Sequence, residues 1–190
     1  MMRWTAIVPL KADGQRKTRL AGMLRPEARS MLSLRMFNHV VAVLRDHPRI
    51  GRIVLLACEP TDGWDGGWLA DDGRGLNEEL DAARMATGHA TLVVHADLPL
   101  LVVEDMDVLL WVAERHGVAL APDRHGVGTN AVAIADMRDF RFKFGPDSFR
   151  THLKQASDYG IVRRVGLAHD VDTQEDLQFV DACGWTNDIM

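Results

Sequence analysis

Cysteine is scarce in this sequence of 190 residues, and positive charge is not in excess. Its two cysteines, Cys58 and Cys183, lie far apart and outside any Cys-x-x-Cys or Cys/His pattern. This spacing argues against a disulfide framework and against a structural zinc site. The formal net charge of −5 argues against generic nucleic-acid binding. It still allows a local basic patch that binds the phosphates of a nucleotide.

Long apolar runs are also lacking. No stretch approaches the roughly 20 consecutive apolar residues that cross a bilayer, and the first residues have no signal-peptide layout. The hydrophobic fraction of 47% is nevertheless typical of a chain with a full core. We therefore expect a soluble cytoplasmic protein with no membrane partner. The length predicts one domain, or one domain with an insertion, and we take residues 1–190 as a single domain.

Short apolar runs alternate with helical patterns along the chain, and each run predicts a strand. The predicted strands are 5–10, 53–58, 91–95, 118–122, 129–135, 140–144 and 161–165. Three predicted helices begin at Pro26, Leu76 and Glu104. A fourth follows the turn at 145–148 and runs through Tyr159. The last begins at a capping box formed by Thr173–Asp176. This alternation predicts an α/β fold, with a mostly parallel sheet and helices on both faces.

The segment from 59 to 75 is rich in glycine, aspartate and proline, and it predicts a loop. Trp64 and Trp68 lie within it. They either pin the loop to the body of the protein or make an apolar contact with a base or a partner, and we favour packing.

Two polar phrases follow predicted strands, His-Ala-Asp-Leu-Pro at 95–99 and Pro-Asp-Arg-His-Gly-Val-Gly-Thr-Asn at 122–130. In open α/β sheets, ligands bind outside the carboxyl ends of the strands. The two phrases therefore predict the floor and the rim of one site.

A basic segment follows the first predicted strand, with Lys11, Arg16, Lys17 and Arg19 around Gly14. One interpretation is a solvated basic loop. The other is a cradle for a polyanion, because α/β folds place phosphates in flexible loops after a first strand. The segment does not match the Walker A pattern.

Carboxylates occur at two places that the topology could bring together. Asp97 follows the third predicted strand, and Asp170 and Asp172 are one residue apart, so that they can share one face of an extended segment. Each has a simpler interpretation as a turn or helix cap. Taken together with the basic loop, the three carboxylates suit a Mg²⁺-nucleotide, because Mg²⁺ prefers carboxylates, waters and phosphate oxygens.

Two further features predict anion binding. The glycines of 126–130 can bring backbone N–H groups close to an oxyanion, and Gly145 and Ser148 stand where a helix begins. With the basic loop, they indicate two phosphorylated substrates. Asn77, at the start of another helix, is either an ordinary first-turn residue or an amide that contacts a base edge.

Several phrases are spread over nearly the whole chain, and among them Gly-Thr-Asn and Phe-Gly-Pro-x-Ser-Phe are specific. The phrases are Val8-Pro9-Leu10-Lys11 with Lys17-Thr18-Arg19-Leu20-Ala21, Leu76-Asn77, Ala96-Asp97-Leu98-Pro99-Leu100, Ala121-Pro122-Asp123-Arg124-His125-Gly126 with Gly128-Thr129-Asn130-Ala131, Phe144-Gly145-Pro146-Asp147-Ser148-Phe149 with His152, and Asp170-Val171-Asp172-Thr173 with Glu175-Asp176-Leu177. Together they resemble the 2-phospho-L-lactate guanylyltransferase family of coenzyme F-420 biosynthesis, which includes phosphoenolpyruvate and 3-phosphoglycerate guanylyltransferases.

The resemblance implies a nucleotidyltransferase with a glycosyltransferase-A-like, Rossmann-like sheet and the substrates GTP and a phosphorylated three-carbon acid. It implies roles for ten residues: Mg²⁺ ligands at Asp97, Asp170 and Asp172; phosphate contacts at Lys17, Lys11 and Arg19; a nucleoside contact at Asn77; and acid contacts at Thr129, Gly145 and Ser148. Lys17 and the three aspartates would carry the catalysis. A homodimer is compatible with the sequence, which does not fix the oligomeric state.

The expected reaction is attack of the acid's phosphate on the α-phosphorus of GTP, with pyrophosphate leaving. A phosphate monoester is already largely ionised at neutral pH, so no protein base is needed. Other interpretations stay open: a nucleotidyltransferase for another acceptor such as a molybdopterin or a sugar phosphate, a glycosyltransferase, and a non-catalytic nucleotide-binding protein.

Overall fold

Seven strands form one sheet in the computed structural model, which describes residues 2–12, 17–88, 90–155 and 158–185. The strands are β1 (Trp4–Pro9), β2 (Ile50–Ala57), β3 (Gly67–Ala70), β4 (Thr91–Val94), β5 (Val118–Pro122), β6 (Thr129–Ile134) and β7 (Gly160–Ile161). Their order across the sheet is β3-β2-β1-β4-β6-β5-β7. Neighbours pair in parallel except at β6, which runs antiparallel to β4 and β5. The predicted mostly parallel sheet is confirmed.

Six α-helices connect these strands in the described chain. They are α1 (Pro26–Asp46), α2 (Leu76–Thr87), α3 (Val103–His116), α4 (Ser148–Leu153), α5 (Val165–Ala168) and α6 (Gln174–Ala182). Pro26 occupies the first turn of α1, where its missing N–H costs nothing. The predicted capping box is confirmed, since Thr173 and Asp176 each accept a hydrogen bond from the other's backbone N–H.

Helices cover both faces of the sheet, as predicted. Alternate residues of β1 point to opposite faces, so Ala6 and Val8 pack with α1 and α3, while Ile7 packs with α2. Every residue of β4, β5 and β6 is buried. Strands covered on both faces leave no room for charge in their interiors, so the polar residues collect at the strand ends.

The direction of β6 decides which residues meet at one edge. Because β6 is antiparallel, its amino end lies beside the carboxyl ends of its two neighbours. Thr129 pairs with Pro122 of β5, and the N–H of His95, just after β4, donates to the carbonyl of Asn130 at 2.9 Å. The two polar phrases therefore lie side by side.

The prediction of a loop from 59 to 75 is wrong in part, because β3 joins the sheet edge there beside β2. A side chain at Gly67 would lie 3.2 Å from the carbonyl oxygen of Ile53, which explains why glycine occurs in this strand. Trp64 packs against Phe37 with ring centroids 5.6 Å apart, and the Trp68 indole donates to the carbonyl of Ala57 at 3.0 Å. Both tryptophans thus pin this segment to the protein body.

The predicted strand at 140–144 is extended but does not join the sheet. Its phenylalanines are buried in alternation, yet side chains supply the hydrogen bonds of its backbone. The N–H of Phe142 donates to Asp81, and the N–H of Phe144 donates to Asn77. Helix α2, rather than a neighbouring strand, therefore holds this segment.

Two further boundaries differ from the predictions. The helix predicted through Tyr159 ends at Leu153, after which Gln155 folds back and bonds the backbone of Arg141 through its side-chain amide. The strand predicted at 161–165 comprises only Gly160–Ile161, and Val165 begins α5. An ion pair between Arg164 and Asp105 of α3 anchors this second junction. None of the helices in the described ranges has both the length and the apolar character to cross a membrane.

Candidate active site

A cavity of about 620 Å³ opens at the edge of the sheet where β1, β4 and β5 end and β6 begins. Nine of the ten residues predicted for the site line it: Lys11, Lys17, Arg19, Asp97, Thr129, Gly145, Ser148, Asp170 and Asp172. The fold therefore brings together residues that are up to about 160 positions apart in the sequence. The exception is Asn77.

Three carboxylates form the acidic cluster of this cavity. Asp97, Asp170 and Asp172 each place one oxygen within 4.8 Å of the others. The N–H of Val171 donates to the carbonyl of Asp97 at 3.2 Å, which docks the second segment against the end of β4. The side chain of Val171 is buried, and alternation along this extended segment leaves Asp170 and Asp172 on the cavity side.

Lys17 lies at the centre of the acidic cluster. Its Nζ donates to Asp97 Oδ2 at 2.5 Å and to Asp172 Oδ1 at 3.0 Å, and Arg19 Nη1 donates to Asp172 Oδ2 at 3.1 Å. Burial alone would lower the pKa of the Lys17 ammonium, but Asp97 and Asp172 more than offset this and raise the pKa. Lys17 therefore keeps its charge. Arg16 and Gly14, also predicted for this basic loop, lie outside the described residues.

Backbone strain is concentrated around the cavity. Among the described non-glycine residues, Lys17 and Asp147 alone have positive φ, at 48° and 55°, and both line the cavity. Left-handed backbone is uncommon for such residues and persists only where the surrounding structure enforces it.

The acidic cluster fits a divalent cation. Burial, together with the charge of Asp97, raises the pKa of Asp170 to about 6, although Asn130 donates to its Oδ1 at 3.0 Å. Burial would also raise the pKa of Asp97, but Lys17 reverses the effect and the pKa is lowered. Asp97 Oδ1 is buried and accepts no hydrogen bond from the described residues. An unbonded buried carboxylate oxygen is costly, and a hard cation bound there would remove that cost.

A second group of polar side chains, on the other side of the cavity, carries no charge. Thr129 and Ser148 are both 2% exposed, with their hydroxyl oxygens 3.4 Å apart. His152 Nδ1 lies 3.0 Å from the hydroxyl of Thr129. Burial lowers the pKa of His152 to about 4, so its ring is neutral at physiological pH. Gly145, with φ of 126°, passes beside this group with a backbone conformation that favours glycine.

Two predicted anion-binding features are already occupied by the protein itself. The N–H groups of Val127 and Gly128 donate to the carboxylate of Asp123 at 2.9 and 2.8 Å. At the start of α4, the N–H of Ser148 donates to the carbonyl of Gly145, and the N–H of Phe149 donates to the carbonyl of Val127. These four N–H groups are therefore not free to bind a ligand, because hydrogen bonds within the protein use them, and this corrects the prediction of anion-binding N–H groups there. The hydroxyls of Thr129 and Ser148 remain as buried polar groups on this side of the cavity.

Asn77 has a structural contact that the sequence did not suggest. Its Nδ2 donates to the carbonyl of Phe144 at 3.0 Å, and its Oδ1 accepts from the N–H of Phe144 at 2.7 Å. The amide thus fixes the backbone that leads into Gly145, and Leu76 lines the cavity in its place.

Three residues in or next to the cavity have contacts that bear on the site and were not among the predicted site residues. Asn130 donates to both Asp170 and the carbonyl of Leu167, and therefore joins the acidic cluster to α5. His95 has an Nε2 that is buried without a hydrogen-bond partner in the described chain. His152 contacts Thr129 from behind. Asn130 and His152 belong to the phrases that carry the family resemblance, which was the available signal.

Comparisons with known proteins cover nearly the whole chain. The family model described as "Guanylyl transferase CofC like" matches residues 4–184. A phosphoenolpyruvate guanylyltransferase from Sphaerobacter thermophilus is 35% identical over 190 residues, covering 93% of this chain and 92% of the relative. A 2-phospho-L-lactate guanylyltransferase from Methanopyrus kandleri is 33% identical over 175 residues, covering 90% of this chain and 87% of the relative.

The fold is also similar to solved nucleotidyltransferase structures. The 4-diphosphocytidyl-2C-methyl-D-erythritolsynthase of Anaerococcus prevotii aligns with a TM-score of 0.62 at 12% identity, covering 97% of each chain. At this identity the likeness concerns the fold alone, which is the glycosyltransferase-A-like sheet that the sequence predicted.

Proposed function

Because the chain belongs to the family described as guanylyl transferase CofC like, we propose that it transfers the guanylyl group of GTP to a small phosphorylated three-carbon acid and releases pyrophosphate. Its relatives include proteins named for two such acids, phosphoenolpyruvate and 2-phospho-L-lactate. One observation carries the proposal: a single cavity holds a three-carboxylate cluster with a buried lysine on one side and a neutral hydroxyl pair on the other. The resemblance assigns the reaction to coenzyme F-420 biosynthesis, in one nucleotidyltransferase domain.

The acidic cluster is the proposed Mg²⁺ site, with Asp97, Asp170 and Asp172 as ligands. Its support is the close approach of three carboxylates and the unbonded buried oxygen of Asp97. The bound metal would supply positive charge against the phosphates as negative charge builds up during transfer.

Lys17, Arg19 and Lys11 are the proposed contacts of the triphosphate. All three line the cavity, and Lys17 and Arg19 bond to the acidic cluster. Lys17 stabilises the cluster through its bonds to Asp97 and Asp172, and its ammonium can also contact a phosphate oxygen, because it has three donors. The nucleoside contact of Asn77 stays a prediction. In the structure, the backbone of Phe144 bonds both polar atoms of the Asn77 amide.

Thr129, Gly145 and Ser148 are the proposed contacts of the phosphorylated acid. Neutral hydroxyls can orient an anion without attracting the more highly charged triphosphate. The acid would then lie with its phosphate toward the acidic cluster, so that the new P–O bond forms between the two sides of the cavity.

The proposed step needs orientation more than proton transfer. An oxygen of the acid's phosphate attacks the α-phosphorus, and the bond from that phosphorus to the pyrophosphate oxygen breaks. The attacking oxygen is already ionised at neutral pH. His152 is unsuited to act as a base, because burial lowers its pKa to about 4 and both ring nitrogens face polar groups of the protein.

The test is a pyrophosphate-release assay with Mg²⁺ on a panel of acids and nucleotides. Phosphoenolpyruvate, 2-phospho-L-lactate and 3-phosphoglycerate would each be paired with GTP, ATP and CTP. We expect release with GTP and at least one acid, and no release when the acid is omitted. No release from any pair, or release that does not depend on the acid, would contradict the proposal.

A further inference from the structure

His152 is enclosed in the protein and has both ring nitrogens engaged. Its side chain is fully buried, with Phe140 stacked at 5.6 Å and Phe144 edge-on at 5.0 Å between ring centroids. The backbone N–H of Lys143 lies 2.9 Å from Nε2. A backbone N–H can only donate, so Nε2 must accept.

That single bond fixes the tautomer of the ring. A neutral imidazole has one protonated nitrogen and one acceptor nitrogen, so when Nε2 accepts, Nδ1 carries the proton. Burial keeps the ring neutral, since it lowers the pKa of His152 to about 4. Nδ1–H therefore donates to the hydroxyl oxygen of Thr129 at 3.0 Å.

The direction of this bond constrains the hydroxyl pair. The Thr129 oxygen uses one lone pair for His152, so its own proton must point elsewhere. Ser148 Oγ is 3.4 Å away, and either hydroxyl can donate to the other. In both arrangements one hydroxyl proton of the pair is left over, and both side chains line the cavity.

We propose that His152 is a positioning residue that makes the Thr129–Ser148 pair a hydrogen-bond donor toward an anionic oxygen of the phosphorylated acid. This inference rests on the proposed function. The donor chain runs from Lys143 N–H through the ring and the hydroxyls to the ligand, and it delivers a hydrogen bond without delivering a charge. A residue that only filled space between the phenylalanines would not need this order of donors.

Two substitutions separate positioning from packing. His152→Asn places an amide N–H near the position of Nδ1, so it keeps a donor for Thr129 and loses the acceptor for Lys143. His152→Gln reaches the position of Nε2, so it keeps the acceptor for Lys143 and loses the donor for Thr129. KM for the acid, KM for GTP and Tm would be measured for both variants and the wild type.

We expect His152→Gln to raise KM for the acid about tenfold, as for one lost hydrogen bond to a charged group, with KM for GTP changed less than about twofold. His152→Asn should stay within about threefold of the wild type for both substrates. An unchanged acid KM in His152→Gln, or equal increases in both variants, would overturn the inference. A wild type that releases no pyrophosphate would instead overturn the proposed function, and the inference with it.

A measurement on the wild type tests the first link even if a variant fails to fold. With ¹⁵N-labelled histidine, the nitrogen shifts and their couplings to ring protons distinguish the two neutral tautomers. We expect Nδ1–H for His152 at neutral pH. Observation of the Nε2–H tautomer or of a charged ring would overturn the inference, because the donor chain would then lose its direction.

Discussion

In the proposed function, both sides of the cavity bind an anion, and they do so by opposite means. The acidic cluster and Lys17 keep formal charges in a half-buried place and pair them with one another. The group of Thr129, Ser148 and His152 is neutral and uses hydroxyls that are almost completely buried. This contrast supports the proposal that one side neutralises a highly charged ligand and the other orients a small one.

The same contrast appears in protonation. On the charged side, burial raises the pKa of Asp170 to about 6, yet the carboxylates stay together because Lys17 is among them. On the neutral side, burial lowers the pKa of His152 to about 4, so the ring loses its charge rather than gaining a partner of opposite sign. Desolvation acts on both sides, and the difference is whether a counter-charge is present.

The largest effect should come from removing a carboxylate of the charged side. Asp97→Asn keeps the shape of the side chain and removes its charge, so we expect kcat for pyrophosphate release to fall about 1,000-fold. Asp139→Asn is the matched control, because the side chain of Asp139 is 95% exposed. Unchanged Mg²⁺-dependent release in Asp97→Asn, or in the parallel variant Asp172→Asn, would refute the metal assignment.

A smaller effect should follow from removing the counter-charge itself. Lys17→Met removes the counter-charge of Asp97 but leaves Arg19 paired with Asp172. The metal-free protein should then lose about 2 kcal/mol of unfolding free energy, between the values for an exposed and a buried ion pair. Mg²⁺ should then restore more stability to the variant than it adds to the wild type, because the cation takes over the role of the ammonium. Urea unfolding in EDTA and in Mg²⁺ measures both quantities. Equal Mg²⁺ stabilisation of the two proteins would show that Lys17 and the metal do not share the same carboxylates.

Much of the charged side could be predicted from the sequence. Strands buried on both faces leave polar residues only at their ends, so Asp97 stood out after an apolar run. Asp170 and Asp172 stood out because they are one residue apart. The parallel sheet followed from the alternation of strands and helices. The antiparallel direction of β6 could not be predicted, because an apolar run looks the same in either direction. This direction places Thr129 beside Pro122.

The neutral side was harder to predict because long-range side-chain bonds build it. The segment at 140–144 looked like a strand, but its hydrogen bonds come from Asn77 and Asp81, more than 60 positions away. The sequence left Asn77 as either a first-turn residue or a base contact, and it did not show the bonds of its amide to Phe144. No local pattern shows that a side chain will bond the backbone of another segment. The tautomer of His152 depends on such a bond, from the N–H of Lys143 nine positions away.

The smallest predicted effect compares the two sides through their pH dependence. The pKa of His152 in the folded state is depressed to about 4. Between this pH and the ordinary histidine pKa of about 6.5, the unfolded state therefore binds more protons than the folded state. The contribution of His152 to stability is thus complete above about pH 6.5 and declines as the pH falls toward about 4. The contribution of Asp170 to stability has the opposite sign, because its raised pKa favours the folded state as the pH falls.

Subtracting the unfolding free energies of His152→Asn from those of the wild type cancels the contribution of Asp170 and isolates that of the His152 ring. From about pH 7.5 to about pH 5.5, the wild type should lose about 1 kcal/mol more than the variant. Parallel pH profiles would mean that the ring is not held neutral, and the contrast between a charged and an uncharged side would fail.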